Sequence, residues 1–210
     1  MYYLNILALT SLKAASSRVE TSWKWYVIKA AGFVAAGLLM LLIISGIGQV
    51  TGYTYRFIEP VKAWALHKAM ALALVVTIII HITFLVLDNF IKFSIPQVIF
   101  PFLSHYSNKT TFAGLALGGL AVTFGVLAMY GVFIIVLTSL GWIDSKKRAW
   151  HYTHYLGYLV VLSVFLHGLY IGTDLRYGTF RKLWILAGVI VAFAVGLRLL
   201  RARVLKKDKD

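Results

Sequence analysis

The stretch HYTHYLGYLVVLSVFLHG, residues 151–168, is almost entirely apolar and yet carries three histidines. An earlier stretch, LHKAMALALVVTIIIHITF at residues 66–84, has the same character and carries two. Apolar runs of this length are typical of helices that cross a membrane. Ionisable side chains inside such helices are costly to bury, so their presence indicates a functional role. Together the two stretches predict a helical membrane protein with a site built from histidine.

The composition of the whole chain agrees with a membrane protein. Of the 210 residues, 60% are hydrophobic and only 13% are charged, whereas about 25% of the residues in a soluble domain are charged. The formal net charge of +14 comes mainly from basic residues that flank the apolar runs, a pattern that fits membrane topology and anionic lipid. We therefore expect the lipid bilayer, and not nucleic acid, to be the partner of these charges.

The chain contains no cysteine. Its absence excludes disulfides, cysteine-ligated iron–sulfur clusters and haem attached through thioether bonds. Any metal chemistry must therefore use His, Asp, Glu or Met side chains.

Five apolar runs are long enough to cross about 30 Å of hydrocarbon. We predict an all-α fold: an integral membrane helical bundle of five spans, plus a short N-terminal interfacial helix. The predicted spans are residues 27–50, 64–87, 112–139, 154–172 and 183–200. The predicted domains are an N-terminal interfacial segment (1–26), a transmembrane domain (27–200) and a basic C-terminal tail (201–210). No internal repeat is apparent.

Four of the histidines form two levels. We call the membrane face that holds the N-terminus face one, and the opposite face, face two. His67 and His154 lie near the face-two ends of the second and fourth spans, which run in the same direction because one span separates them. His81 and His167 follow 14 and 13 residues later, a rise of about 20 Å along an α-helix. Each level therefore receives one histidine from each helix.

Paired imidazoles at two depths suit iron porphyrin. A haem buried between helices takes axial ligands from both sides, and neutral imidazole supplies them without burying a charge. We predict two b-type haems, one held by His67 and His154 and one by His81 and His167. With both axial positions filled, the expected role is electron transfer. A single zinc ion on all four is disfavoured, because its ligands must converge on one point.

One feature of the spacing disagrees with a regular helix. His154 and His167 point about 140° apart on an ideal helix. The two-level arrangement therefore requires a bulge, an irregular turn near Gly157, or a position for His154 at the helix start, and on a regular helix the spacing counts against it.

The motifs LHK at 66–68 followed by His81, and WHYTHYLGYLVVLSVFLHG at 150–168, resemble the ferric-reductase-like transmembrane domain. This family includes ferric reductases, NADPH oxidases and the haem subunit of the bacterial methionine-sulfoxide reductase system. The resemblance covers about residues 23–200. It implies that His67 and His154 hold the haem nearer the cytoplasm and that the other pair holds the distal one. It also places face two in the cytoplasm, in agreement with a small excess of basic residues there.

This chain departs from the larger relatives at its C-terminal end. Ferric reductases and NADPH oxidases continue into a flavin- and nicotinamide-binding domain, whereas the sequence here ends at Asp210. We therefore expect a small bacterial member in the cytoplasmic membrane, with its C-terminus in the cytoplasm. As an oxidoreductase component with no catalytic residue of its own, it is expected to exchange electrons with a separate flavoprotein, which carries the flavin, or with a quinone.

Basic and aromatic residues near the span ends allow two readings. Arg148, His151 and Lys68 on face two, and Arg176 and Lys29 on face one, are candidates for binding haem propionates. Snorkelling of cations to the interface explains them equally well. Four aromatic residues either line a haem or belong to the interfacial aromatic belt, and the belt is favoured. They are Trp150, Tyr152, Tyr155 and Tyr158.

Two further functions stay open from the sequence. A quinone-coupled cytochrome b subunit of a larger dehydrogenase needs the same haems and a quinone pocket beside one of them. A haem-free channel or scaffold accounts for the spans but leaves the four histidines unexplained. The absence of Asp and Glu from mid-span positions disfavours a proton-coupled carrier.

Overall fold

The structure, a computed structural model, describes the backbone of residues 2–89, 91–106, 111–112 and 115–207, and the side chains of residues 23–89, 91–106 and 117–202. The elements described are mainly helices. In chain order they are α1 (Tyr2–Val50), a 3₁₀ turn (Thr54–Arg56), α2 (Pro60–Leu87), α3 (Ile95–Ile99), a two-stranded antiparallel ladder of β1 (Thr111–Phe112) and β2 (Leu115–Ala116), α4 (Gly118–Gly141), α5 (Lys147–Ile171), a second 3₁₀ turn (Thr173–Leu175) and α6 (Gly178–Lys207).

Five of these helices are long and apolar enough to cross a membrane, which confirms the predicted all-α bundle. The candidate spans are Trp23–Val50, Pro60–Leu87, Gly118–Gly141, Lys147–Ile171 and Gly178–Ala202. Each predicted span overlaps one of them. The largest shift is in the fourth span, which was expected from residue 154 and begins at Lys147. The third span was expected from residue 112 and begins at Gly118, because the short ladder precedes it.

The N-terminal segment, residues 1–26, is continuous with the first span. Its backbone is helical from Tyr2 onward, and α1 runs to Val50 without a break. The expected interfacial helix is therefore the first part of a longer helix. Its placement at the interface, and the division of the chain into three domains, stay predictions.

The bundle is organised as two helical hairpins joined by α6. Helix α1 packs along α2, and α4 packs along α5; α6 contacts α1 and α5. The shared core contains buried side chains from most of these helices, including Leu39, Leu74, Val132 and Val160. Gly131 lies directly under the Val160 side chain, and such small residues let helices approach closely where lipid supplies no hydrophobic drive. The two hairpins thus meet along an aliphatic seam.

The connection between α2 and α4 does not run straight across face one. After Asp88 the chain turns and forms the single helical turn α3. It then runs alongside α4, where the Phe102 N–H donates to Thr123 Oγ1. Phe93 and Val98 are buried from this connection against Val122 and Val126 of α4. The connection is thus packed onto the outside of the bundle.

Candidate cofactor site

Two cavities lie inside the bundle, one at each histidine level. The face-two cavity has a volume of about 310 Å³ and is lined by His67 and His154. The face-one cavity has a volume of about 220 Å³ and is lined by His81 and His167. The structure thus brings the histidines of α2 and α5 together in the two pairs that the sequence suggested.

A single layer of aliphatic side chains stands between the cavities. Leu39, Leu74 and Val132 line both of them, and all three are buried. They come from α1, α2 and α4, so three helices contribute to the same dividing layer.

His67 and His154 face each other across the face-two cavity. Their ring centres are 6.3 Å apart, and the ring planes differ by 38°. A metal ion between two imidazoles has each nitrogen at about 2 Å, and each nitrogen is about 1 Å from its ring centre, so the centres are expected about 6 Å apart. The observed separation fits one metal ion held between the two rings.

A serine hydroxyl lies beside Nδ1 of each ring in this pair; we call this nitrogen the outer nitrogen. His67 Nδ1 lies 2.8 Å from Ser45 Oγ, and that hydroxyl donates its own hydrogen to the Leu42 carbonyl at 3.1 Å. The Ser45 oxygen is therefore left to accept from the imidazole. His154 Nδ1 lies 3.5 Å from Ser139 Oγ, a longer contact. The same oxygen accepts a hydrogen bond from Trp150 Nε1 at 3.0 Å.

Backbone carbonyls hold the outer nitrogens at the face-one level. His81 Nδ1 donates to the Ile28 carbonyl at 2.9 Å, and His167 Nδ1 donates to the Ala121 carbonyl at 2.7 Å. A carbonyl only accepts, so Nδ1 must carry the proton and Nε2 of a neutral ring is left with a lone pair. This is the tautomer that a metal ligand needs, and an outer partner of this kind fixes the ring orientation.

Three of the four rings also lie against a glycine on the neighbouring helix. A Cβ atom on Gly125 would stand 2.7 Å from His167 Cε1, and one on Gly32 would stand 3.2 Å from His81 Cε1. At Gly46 the distance to His67 Cε1 would be 3.5 Å, an ordinary contact. Gly125 and Gly32 therefore provide space in which each ring can reach a carbonyl of the helix behind it.

These contacts reveal a repeat that the sequence does not display. In the first hairpin His81 contacts Gly32 and donates to the carbonyl of Ile28, four residues before Gly32. In the second hairpin His167 contacts Gly125 and donates to the carbonyl of Ala121, again four residues before the glycine. The two hairpins thus present their face-one histidines in the same way.

The expected irregularity in α5 is absent. The helix is α-helical from Lys147 to Ile171, and Gly157 is buried within it. His154 and His167 nevertheless both reach a cavity, because the two cavities lie on different sides of α5. The wide angle between the two side chains is thus a property of the bundle and needs no kink.

A family model described as "Ferric reductase like transmembrane component" matches residues 31–165, more than half of the chain. The chain belongs to this family. The match supports a membrane electron-transfer component. None of the curated proteins and none of the solved structures compared with the chain matches it. The matched range contains His67, His81 and His154 from the two facing pairs, and it ends two residues before His167.

In this ferric-reductase-like domain the face-two cavity is rich in cations. Its cations are Lys68 and Arg198; His151 also lines it, and among its lining residues there is no Asp or Glu. Arg198 lies on α6, and the sequence analysis did not single it out as a site residue. Arg148, a predicted propionate partner, is exposed and is not among the residues lining either cavity. His151 is exposed at the cavity edge, with its Nδ1 on the Lys147 carbonyl at 2.9 Å.

The face-one cavity of the domain has a balanced charge at its edge. Lys29 and Asp174 both line it and form an ion pair at 3.0 Å. The Lys29 ammonium also lies 5.3 Å from the centre of the Tyr26 ring. Arg176, the other face-one candidate, is exposed and does not line the cavity.

The predicted aromatic residues divide between the two readings. Trp150, Tyr155 and Tyr158 line the face-two cavity, and the Trp150 ring centre is 5.0 Å from that of His154. Tyr152 is 75% exposed and points away from it. His105 is exposed in the connection after α3. Within the described part of the chain, no three His, Asp or Glu side chains converge as a single metal site.

Proposed function

We propose that this domain carries electrons across the membrane through two b-type haems, each held by one histidine of α2 and one of α5. It acts as the membrane subunit of an oxidoreductase and works with a separate flavoprotein or another redox partner. The observation that carries the proposal is the His67–His154 pair, whose ring centres are separated by 6.3 Å. A haem held by one histidine from each of these helices would supply one-electron transfer.

The residues around both pairs fit a haem. The imidazoles are neutral donors whose outer nitrogens have partners on neighbouring helices, so the ring orientation does not depend on the metal. The remaining cavity surface is mainly aliphatic and aromatic, as a porphyrin face requires. Gly32 and Gly125 remove the side chains that would crowd the face-one rings.

The charge of the face-two cavity supports an anionic ligand there. Lys68 and Arg198 lie within predicted spans and line a cavity without a carboxylate among its lining residues. Charges inside a membrane domain are normally paired. Haem propionates supply the missing negative charge, and we assign Arg198 and Lys68 to them, with His151 at the edge. Arg148 remains a weaker candidate because it is exposed away from the cavity.

The distribution of basic residues indicates how the domain is oriented in the membrane. Face two carries the basic cluster at residues 146–148 and the basic C-terminal tail, and basic segments stay on the cytoplasmic side. We therefore place face two, the His67–His154 level and the C-terminus in the cytoplasm of a bacterial cell. The His81–His167 level then lies toward the outer surface.

Haem content per chain tests the proposal. The purified protein should contain two haems by pyridine haemochrome assay, and His81→Ala and His167→Ala should each reduce this number to one. His105→Ala is the matched control, because that ring is exposed in a connection and should leave both haems in place. A preparation that stays colourless after haem is supplied would favour the haem-free channel or scaffold. Reduction by quinol, and not by a reduced flavoprotein, would favour the quinone-coupled subunit.

A further inference from the structure

The connection between α2 and α4 contains a nonpolar stretch with two prolines. We call residues 95–103, IPQVIFPFL, the proline segment. No charged residue occurs between Lys92 and His105. An apolar run of this length is too short to span a membrane and is typical of re-entrant or interfacial segments.

Two hydrogen bonds to α4 fix the depth of this segment. The Phe102 backbone N–H donates to Thr123 Oγ1 at 3.0 Å, and the Tyr130 hydroxyl donates to the Ile99 carbonyl at 3.0 Å. Thr123 and Tyr130 lie five and twelve residues after the start of α4 at Gly118, which corresponds to about 7 and 18 Å along the helix. Helical side chains lean toward the N-terminus, so the Tyr130 hydroxyl lies nearer face one than its Cα does. Both anchor points are still within the span.

The outward side of the proline segment is formed by large apolar side chains. Most of these are more than 40% exposed, and Ile99 is 38% exposed. They are Ile95, Ile99, Phe100, Phe102 and Leu103. The inward side packs on the bundle through Val98, which is 5% exposed. In water such a contiguous patch is unfavourable and rare on a folded protein. At the depth set by Thr123 and Tyr130, the medium around a membrane span is hydrocarbon.

Several backbone positions of the segment have no N–H group or have an N–H that is bonded within the protein, as a medium without water requires. Pro96 and Pro101 have no N–H to satisfy. The N–H of Phe100 bonds the Pro96 carbonyl, and the N–H of Gln97 bonds the Ser94 carbonyl. In return, the Gln97 side chain accepts from the Ser94 N–H at 3.0 Å. Non-helical backbone at membrane depth requires internal partners of this kind.

Phe102 shows that the contact with α4 is strong enough to hold an unfavourable backbone. Its φ is +67°, a left-handed conformation that bulky residues rarely adopt. This conformation accompanies the bond from its N–H to Thr123, a buried residue 2% exposed. The segment is therefore held at its depth by more than apolar contact.

We propose that the proline segment is a re-entrant segment inserted among the lipid acyl chains of the face-one leaflet. Its outer side contacts lipid, and Val98 on its inner side lines the face-one cavity. Phe93, Val98 and Tyr106, from this connection, line that cavity, and the Phe93 and Tyr106 rings stack with centres 5.6 Å apart. The segment therefore lies between the face-one cavity and the lipid on this side of the bundle. The proposal does not depend on whether haem is bound.

Site-directed spin labelling tests the insertion directly, since the natural chain has no cysteine to replace. Phe100→Cys and Phe102→Cys, labelled and reconstituted in phosphatidylcholine and phosphatidylglycerol vesicles, should be relaxed by oxygen and not by a water-soluble nickel chelate. Leu137→Cys is the lipid control, because it is 67% exposed on α4 within the span. Tyr177→Cys is the water control, because it is 86% exposed between the second 3₁₀ turn and α6.

Labelling kinetics provide a second measurement that needs no spectroscopic model. A thiol in apolar surroundings has a raised pKa, and each pKa unit lowers the thiolate fraction about tenfold. A membrane-impermeant maleimide reacts with the thiolate, so it should react about tenfold or more slowly at residue 100 than at residue 177. Ile95→Cys repeats the test at an exposed position if a phenylalanine variant does not fold. Labels at 95, 100 and 102 that behave like the one at 177 would overturn the proposal and make the surface a docking site for a protein.

Discussion

His67 and His154 lie with their ring centres 6.3 Å apart, although 86 residues separate them in the chain. The pair is made by the packing of one hairpin against the other. Neither helix alone forms a site. Any haem at this level therefore links α2 to α5, and its presence should be linked to the stability of the bundle.

Removing one member of the pair should cost one haem and leave the other. His67→Ala and His154→Ala are each expected to lower haem content from two to one per chain, because one imidazole cannot fill both axial positions. The remaining haem should keep a low-spin, six-coordinate spectrum, since the His81–His167 level is untouched. Tyr152→Ala is the control in the same turn of α5, because that ring is exposed away from the cavity and its removal should leave both haems in place.

The two serines should affect ligand strength without removing a ligand. Ser45→Ala and Ser139→Ala take away the oxygen beside the outer nitrogen of His67 and His154. Loss of such an outer partner typically costs about 10–100-fold in metal affinity. The effect should be larger at Ser45, where the contact is shorter, and is measured by haem transfer to an apo-haem acceptor. Thr77→Ala is the control, because its hydroxyl bonds only the Ala73 carbonyl of its own helix.

A methyl group at residue 125 should disturb the face-one level. In Gly125→Ala the new Cβ would stand 2.7 Å from two atoms of the His167 ring, and overpacking of this kind costs about 1–3 kcal/mol. We expect a lower temperature for loss of the haem absorbance and partial loss of one haem. Gly37→Ala is the matched control, because its Cβ would meet nothing within 4 Å. An equal loss in both variants would contradict the role assigned to Gly125.

Arg198 should contribute more to haem binding than its position in an apolar span suggests. A hydrogen bond to a charged group contributes about 1.5–3 kcal/mol, so Arg198→Gln is expected to weaken haem binding by about tenfold or more. The midpoint potential of the face-two haem should fall, because a positive charge that favours the reduced state is removed. Arg198→Lys should restore part of both effects. Arg201→Gln, an exposed neighbour on the same helix, should leave the redox titration unchanged.

The sequence predicted the spans and the depth of the histidines well because both depend on local properties. Hydropathy along one helix marks where lipid surrounds it, and the rise per residue sets the depth of His67 against His81. What the sequence did not reveal depends on which helix lies behind which. Ser139 and Gly125 matter only because α4 packs behind α5, and Arg198 matters only because α6 turns one face toward the face-two cavity.

The same reason explains one incorrect expectation and one feature that the sequence does not display. The angle between His154 and His167 suggested a distorted helix, since a single helical wheel assumes a single target. The bundle instead offers α5 two targets on different sides. The hidden repeat has a similar origin: His81 and His167 share a bonding pattern with carbonyls 53 and 46 residues away, and no comparison of adjacent residues detects it.

The layer of Leu39, Leu74 and Val132 between the cavities has a consequence for bioenergetics. A proton or a hydrated ion needs polar groups to move between, and these three side chains have none. An electron needs only a short gap, and the layer is one side chain thick. Under the proposed function, this layer would let electrons pass between the two levels while it keeps the proton gradient of the cell intact.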